Sequence, residues 1–190
     1  MSERVDPRAA RTTRALEQAV VELASQRPVS RITIADLADR AGVTRATFYN
    51  RSTSPLELLI QVLNADLDRG HELEERRRAR GDLSAEQRVR MAISEVADHM
   101  ERFAGVYEHA LGDPADRGIY EALVSHFAHY AMAFIDCCTH PALPEANHEV
   151  IAQFVAHGFA GAIQAWMADD GVTKDDLVDA ALACAPAWWS

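Results

Sequence analysis

The sequence predicts an all-α fold of about nine helices. Glycine (9) and proline (7) are sparse among the 190 residues, which disfavours a loop-rich sandwich or barrel. Apolar residues recur at intervals of three and four along most of the chain, as they do on the buried face of a helix. No segment alternates polar and apolar residues for long enough to indicate a strand.

The first 53 residues predict a three-helix unit. One amphipathic helix covers residues 7–25 and ends before Pro28. A second helix begins at Thr33, because Thr followed three residues later by Asp36 forms a capping box with Asp in place of the usual Glu. Gly42 then supplies the backbone freedom for a tight turn.

A short third helix is predicted from a Thr44 cap through Asn50, with Val43 and Phe48 as its apolar anchors. Two short helices joined by such a turn have the pattern of a helix-turn-helix. The second helix exposes hydroxyl, amide and guanidinium groups, which bind phosphates and base edges. The candidate DNA-binding residues are Thr33, Thr44, Arg45, Ala46, Thr47, Tyr49, Asn50 and Arg51.

Charge is distributed unevenly along the chain. Residues 1–55 contain nine arginines and six acidic residues, a net charge of +3, which leaves −13 for the rest of a chain whose total is −10. A basic head on an acidic body fits a protein that contacts phosphate at one end only.

Six further helices are predicted after residue 53. Ser54, Pro55 and Glu57 form a strong start for the fourth, which continues to about residue 80. The others are predicted over residues 84–103, 106–111, 113–138, 145–168 and 173–185. We therefore predict a DNA-binding domain at residues 1–53 and a C-terminal helical domain at residues 54–190.

The window from Thr33 to Leu59 resembles the TetR family of repressors. The motifs that carry the resemblance are Thr33, Leu37-Ala38, Ala41-Gly42-Val43, Thr47-Phe48-Tyr49 and Leu58-Leu59. The resemblance implies that Tyr49 donates to a phosphate and that Arg45 and Thr47 lie nearest the bases. It also implies a sequence-specific transcriptional regulator, most simply a homodimeric repressor that binds a palindromic operator on double-stranded DNA and is released by a ligand.

Two positions depart from the family pattern. The family usually has an aromatic residue where Ser52 stands, packing the third helix against the fourth, and a phosphate-contacting Lys where Pro55 stands. The free N–H groups at the start of the fourth helix can partly replace that Lys. We expect weaker non-specific affinity for DNA and a shallower salt dependence than in a relative that carries Lys.

The resemblance implies that the C-terminal domain senses a ligand and dimerises. Mixed aromatic, Met and His positions suggest a mostly apolar pocket for a lipophilic small-molecule effector. The ligand-binding candidates are Met100, Phe103, Tyr107, His126, Phe127, Tyr130, Phe134 and Trp166. The dimer-interface candidates are Phe154, Phe159, Ile163, Leu177 and Ala181. Burial within a single subunit is the alternative for every residue of both sets.

Two other functions are compatible with the sequence. His126 and His129 share a helix face near Cys137 and Cys138, with His140 beyond, so a zinc or haem site is conceivable, although adjacent cysteines cannot face the same side of a helix. The same cysteines could sense oxidants. The sequence has no Gly-x-Ser-x-Gly elbow and no phosphate-binding glycine loop. We expect no catalytic residues, no resident metal and no cofactor.

The sequence suggests a cytoplasmic protein with no membrane partner. The charged N-terminus lacks the apolar core of a signal peptide, and three cysteines without framework spacing indicate reduced thiols. We also expect no apolar stretch that approaches the length of a membrane span.

Overall fold

A computed structural model describes residues 7–80, 84–112, 114–137 and 140–189, and the regular elements in these ranges are all helical. The all-α prediction is therefore confirmed. In chain order the α-helices are α1 (Pro7–Ala24), α2 (Ile34–Ala41), α3 (Arg45–Tyr49), α4 (Pro55–Arg80), α5 (Ala85–Arg102), α6 (Ala104–Gly112), α7 (Arg117–Cys137), α8 (His148–Met167) and α9 (Lys174–Cys184). Short 3-10 turns cover Val29–Arg31, Pro114–Asp116 and Ala187–Trp189.

Most helix starts are set by the capping residues that the sequence indicates. Thr33 and Thr173 both form reciprocal capping boxes with an aspartate three residues later. The start of α8 differs from its predicted position at residue 145, because the side chain of Asn147 accepts a hydrogen bond from the N–H of Val150 and fixes the first turn there. Asp113, the predicted cap of the seventh helix, and Cys138, its predicted end, lie outside the described residues.

The chain forms two compact units that are not contiguous in sequence. The first comprises the described residues up to Leu63 together with Phe103–Ile119, and the second comprises Asn64–Arg102 together with the described residues from Tyr120 onward. The units therefore differ from the contiguous ranges 1–53 and 54–190. Helix α4 contributes its first turns to one unit and the remainder to the other.

A buried carboxylate fixes the first unit. Asp116 is 1% exposed and accepts hydrogen bonds from the backbone N–H groups of Val29, at 2.7 Å, and Ser30, at 2.9 Å. These two residues begin the 3-10 turn between α1 and α2. The carboxylate thereby satisfies backbone donors in a turn that has few partners of its own.

Two glycines allow the segment from α6 to α7 to pack closely in the same unit. A Cβ atom at Gly105 would lie 3.2 Å from Cβ and the carbonyl oxygen of Ser25, just after α1. A Cβ atom at Gly118 would lie 3.0 Å from a methyl carbon of Leu56, in the first turn of α4. A side chain at Gly105 would require the backbone at Ser25 to shift, whereas one at Gly118 would displace the end of the Leu56 side chain.

The second unit is built around α5, α7, α8 and α9. Helix α9 packs against both α5 and α8, and an Arg90–Asp179 ion pair of 2.9 Å joins α9 to α5. A buried cluster joins α7 and α8 to the C-terminal turn, and its members are Ala131, Ile135, Ala152 and Trp188. Apolar burial therefore ties the end of the described chain into this unit.

Helix α8 leaves one apolar face open. Phe154 is 81% exposed, Val150 is also exposed, and a Cβ atom at Gly158 or Gly161 would meet nothing within 4 Å. By length and composition alone this helix could cross a membrane, so the prediction that no apolar stretch approaches span length was wrong. Core helices of soluble proteins pass the same test, so the finding is weak evidence for a membrane.

Two of the predicted interface residues require correction. Ile163 and Leu177 are 0% and 2% exposed, so both are buried within the chain and not on a surface that a second subunit could contact. The aromatic ring of Phe159 is half-buried and lies 5.0 Å from that of Phe127 on α7, and Ala181 is also half-buried. The apolar pattern of a helix does not show which of two apolar faces is covered by its own chain.

We expect Asp116→Ala to destabilise the protein by about 2–4 kcal/mol, because two backbone donors lose a charged acceptor in a mostly buried place. Urea unfolding followed by circular dichroism measures this change. Asp136→Ala is the control, since Asp136 is an exposed aspartate of α7. Equal stability of the two variants would show that the Asp116 contacts contribute little.

Candidate nucleic-acid interface and ligand cleft

The α2–α3 pair has the geometry of a helix-turn-helix. Gly42 takes a left-handed conformation with φ of 65°, and the N–H of Val43 donates to the carbonyl of Ala38 at 2.9 Å. Leu37 and Phe48 are both 0% exposed. Capping, the tight turn and these apolar anchors fix α3 against α2 and leave its other face free.

Seven of the eight candidate DNA-binding residues form the surface on and around α3, and the eighth, Thr33, caps α2. Tyr49 is 61% exposed, and its ring is held edge-on to the buried ring of Phe48 at 5.8 Å. Thr47 is half-buried, and its hydroxyl lies 2.8 Å from that of the capping residue Thr44, so the two share a hydrogen bond. The exposed members are Thr33, Thr44, Arg45, Ala46, Tyr49, Asn50 and Arg51.

This surface presents guanidinium, phenol, amide and hydroxyl groups within five consecutive positions and at the two helix caps. Arg51 also donates a long 3.4 Å hydrogen bond to the carbonyl of Ala9 in α1, which ties its side chain to the first helix. Such groups can bind phosphate oxygens and the acceptors of a guanine edge.

A polar network holds the start of α4 at Ser52, where the family that the sequence resembles usually has an aromatic residue. Ser52 is buried, and the single proton of its hydroxyl is shared between a carboxylate oxygen of Glu57 at 3.0 Å and the carbonyl of Ser54 at 3.1 Å. The N–H of Thr53 donates to the same carboxylate at 2.7 Å, and these bonds, those from Thr53 foremost, hold the pKa of Glu57 below its ordinary value. Ser54 caps the N–H of Glu57 as predicted, but the reciprocal bond goes to Thr53.

The second unit contains a cleft of about 630 Å³ between α4 and α5. Asp66 lines this cleft and is 8% exposed, and it accepts a 2.8 Å hydrogen bond from Nδ1 of His99 and pairs with the guanidinium groups of Arg69 and Arg102. An ionised carboxylate only accepts hydrogen bonds, so Nδ1 of His99 must be the donor. The lining residues are Asp66, Leu67, Arg69, Gly70, His71, Leu73, Ala92, Glu95, Val96, Asp98, His99 and Arg102.

Electrostatics stabilise the ionised form of Asp66. Burial alone would raise the pKa of this carboxyl, but the hydrogen bond to His99 and the charges around it outweigh that effect and hold the pKa below its ordinary value. Burial lowers the pKa of His99, and Asp66 offsets this only in part. A neutral His99 therefore donates to an anionic Asp66, while two half-exposed guanidinium groups remain near the opening.

Histidine and tyrosine rings stack between α4 and α7. The rings of His71 and Tyr130 are parallel with centroids 3.3 Å apart, and His126 lies 4.7 Å from the same tyrosine ring. Tyr130 donates to Asp68 at 2.8 Å, and Nε2 of His126 is buried without a hydrogen-bond partner. Burial is the main reason that the pKa of both histidines falls from 6.5 to about 4.

The eight ligand-binding candidates are divided between the two units. Phe103 and Tyr107 belong to the first unit and the other six to the second. Of these, His126 and Tyr130 share the aromatic stack, while Phe134 packs against Trp188 with ring centroids 6.0 Å apart. The remaining three of the second unit are Met100, Phe127 and Trp166. None of the eight lines the α4–α5 cleft.

The cleft residues were missed because single charges on helices usually lie in solvent. A signal was nevertheless present: Asp66 precedes Leu67 on the apolar stripe of α4, and both Asp66–Arg69 and His99–Arg102 are spaced by three residues. A carboxylate on an apolar stripe requires partners, and the neighbouring helix supplies two of them.

Within the described ranges, no three His, Cys, Asp or Glu side chains converge on a place where a metal ion could bind. Cys138 and the side chain of Cys137 lie outside the described residues, so the cysteine hypotheses concern atoms that the structure does not place. Cys184 is described as a free, exposed thiol.

Comparison with known proteins supports the N-terminal assignment. Residues 17–61 match the model of a family described as bacterial regulatory proteins, tetR family. No curated protein sequence matches the chain. The fold is similar to that of the fatty acid degradation regulator FadR from Bacillus halodurans, with a TM-score of 0.61 and 13% identity over 90% of this chain and 95% of that one.

A second similar structure is the transcriptional regulator FadR from Bacillus subtilis, solved in complex with stearoyl-CoA. Its TM-score is 0.60 at 17% identity, covering 92% of this chain and 98% of that one. At these identities the likeness shows the shared fold.

We expect the protein to lose stability as the pH falls from about 6.5 to about 4. Between these pH values His71 and His126 are protonated in the unfolded chain but stay neutral in the folded chain, where their pKa is about 4. Protonation therefore favours the unfolded state. Thermal unfolding across pH measures the effect, with a loss on the order of 2 kcal/mol for His126.

His126→Phe should flatten this pH dependence while keeping the ring contact with Tyr130. His148→Gln is the control, because this residue begins α8 outside the stack. If both variants keep the full pH dependence of the unmodified protein, the buried histidine is not its source.

Proposed function

We propose that this chain, whose residues 17–61 match the tetR family model, is a DNA-binding transcriptional regulator that acts as a homodimeric repressor, binds a palindromic operator and is released by a small-molecule effector. The exposed polar face of α3, held by the buried Phe48 within the segment that matches the family model, carries this proposal. On this proposal the protein acts by binding DNA and an effector, and not by catalysis.

The proposed roles at the interface follow from chemistry. Arg45 presents a guanidinium that can take both acceptors of a guanine, and Thr47 lies one turn from the cap beside it. The phenol of Tyr49, exposed beside the anchoring Phe48, suits a phosphate oxygen. Thr33, Thr44, Ala46, Asn50 and Arg51 complete the proposed surface.

Dimerisation is proposed through the open face of α8. One short recognition helix contacts few base pairs, so a second copy is needed for specificity. Phe154, Gly158 and Gly161 form an apolar strip that permits close approach of another helix. Helix α9, which packs against α8, exposes Asp175 and Asp179, so a second subunit is a better partner for this surface than lipid.

The effector is proposed to be lipophilic and to bind in the C-terminal unit. The structure of FadR from Bacillus subtilis, which has a similar fold, holds stearoyl-CoA. An effector releases DNA only to the extent that it binds a DNA-incompetent conformation more tightly than the DNA-competent one. Helix α4 is the proposed lever because it contributes to both units.

Selection from a randomised duplex DNA library tests the proposal. We expect the wild-type protein to retain a two-fold symmetric motif at moderate salt. Arg45→Ala should lose or relax preference at one position of each half-site, with a cost of about 1–3 kcal/mol. An absence of enrichment even at low salt would refute sequence-specific DNA binding.

We expect Phe154→Glu to convert the dimer to a monomer, because a buried carboxylate without a partner opposes association strongly. Sedimentation velocity measures the oligomeric state. Gln153→Glu is the control, since it introduces the same charge at the adjacent position of α8. A dimer that survives Phe154→Glu would place the interface elsewhere.

We expect Pro55→Lys to strengthen non-specific DNA binding and to steepen its salt dependence by about one counterion. The slope of log affinity against log salt measures this directly. Gln61→Lys adds the same charge two turns further along α4 and serves as the control. Equal slopes in the unmodified and Pro55→Lys proteins would contradict a phosphate contact at this position.

A further inference from the structure

The α4–α5 cleft is lined by both charged and apolar residues. One charged group is Asp66 with its partners Arg69, His99 and Arg102. The apolar lining residues are Leu67, Leu73, Ala92 and Val96, and Leu73 is unusually exposed for a leucine. A cleft of about 630 Å³ with this lining fits a ligand that has a polar head and an aliphatic tail.

Arg69 and Arg102 both pair with Asp66, so their two guanidinium groups lie beside the same carboxylate in the cleft. Arg69 uses one terminal nitrogen for one oxygen of Asp66, and Arg102 uses one terminal nitrogen for the other oxygen. Each guanidinium carries five N–H donors, so donors remain on both. The side chains of Arg69 and Arg102 are 68% and 54% exposed, so a ligand can reach them.

Asp66 and His99 keep this pair of arginines in place. Asp66 is buried and anchored by the 2.8 Å hydrogen bond from His99, so it provides a fixed point for both guanidinium groups. Two arginines around one carboxylate leave a local net charge of +1. A pre-positioned pair binds an anion with a smaller loss of side-chain freedom than two unrestrained arginines would.

The other charges of the cleft are acidic. Asp98 pairs with Lys174 of α9, so its charge is compensated. Glu95 lies beside Gly70, where one of its carboxylate oxygens is 3.4 Å from the position of a Cβ atom at that glycine. Glu95 is therefore expected to oppose an anion bound nearby and to favour a cation.

We propose that the α4–α5 cleft binds the anionic head of an amphiphile through Arg69 and Arg102, with its aliphatic tail along Leu67, Leu73 and Val96. The head is a carboxylate or a phosphate, since both accept the forked donors of arginine. This inference rests on the proposed function, for which it supplies the chemical class of the effector. Because Asp66 and Arg69 belong to α4, a ligand held there acts on the helix that also contributes to the first unit.

Calorimetric titration of the full-length protein with C12 probes, below their micellar concentrations, tests the proposal. Dodecanoate and dodecyl phosphate distinguish the two anionic heads, while dodecanol and dodecylammonium supply neutral and cationic heads. We expect at least one anion to bind saturably and at least about tenfold more tightly than the alcohol or the amine. Equal affinity for dodecanol, preference for the amine, or no binding of either anion would overturn it.

Substitutions in the cleft test which side chains bind the anionic probe. Arg69→Gln and Arg102→Gln should each lower the affinity for the anion about tenfold, and Glu95→Gln should raise it. In either arginine variant Asp66 keeps His99 and the other arginine, and Arg102→Lys retains the charge without the fork if Arg102→Gln is unstable. Arg76→Gln removes an exposed arginine of α4 and is the control. Unchanged affinity in both glutamine variants would exclude the arginine pair.

The DNA-library experiment separates this inference from the proposed function. A symmetric DNA motif combined with no effect of the arginine variants on anion binding would refute only the cleft. Anion binding through Arg69 and Arg102 without any DNA motif would refute the regulator and leave the cleft intact.

Discussion

The first unit depends on the hydrogen bonds that Asp116 accepts from Val29 and Ser30. These contacts join parts of the chain more than 80 residues apart and fix the turn that leads into α2. The glycines at 105 and 118 make the same approach possible by removing side-chain volume. Because the helix-turn-helix follows directly from the anchored turn, its placement depends on a residue far outside the contiguous DNA-binding sequence.

Each unit contains a buried carboxylate, and the two carboxylates differ in the groups that donate hydrogen bonds to them. In the first, Asp116 accepts hydrogen bonds from backbone N–H groups, so its role is structural. In the second, Asp66 is paired with a histidine and two arginines that line a cleft. Exposed charged side chains around a carboxylate can also contact a ligand, whereas backbone N–H groups that donate to a buried carboxylate are already used.

At the start of α4, side-chain hydrogen bonds stand where an aromatic side chain would pack. Ser52 and Thr53 both donate to Glu57, and this network joins the end of the helix-turn-helix to the start of α4. These hydrogen bonds hold the start of α4 against the end of the helix-turn-helix, as an aromatic side chain would through its contact area. They are also directional, so they fix the orientation of the first turn of α4 as well as its position.

The sequence by itself determined the helical class, most helix boundaries and the exposure of most candidate residues on and around α3. Capping boxes, the Gly42 turn and apolar periodicity are local signals, since each depends on residues only a few positions apart. Tertiary structure alone decided the composition of the two units, the burial of Ile163 and Leu177, and the meeting of Asp66 with His99 and Arg102. These features join distant residues, and helical periodicity shows that a face is apolar without showing what covers it.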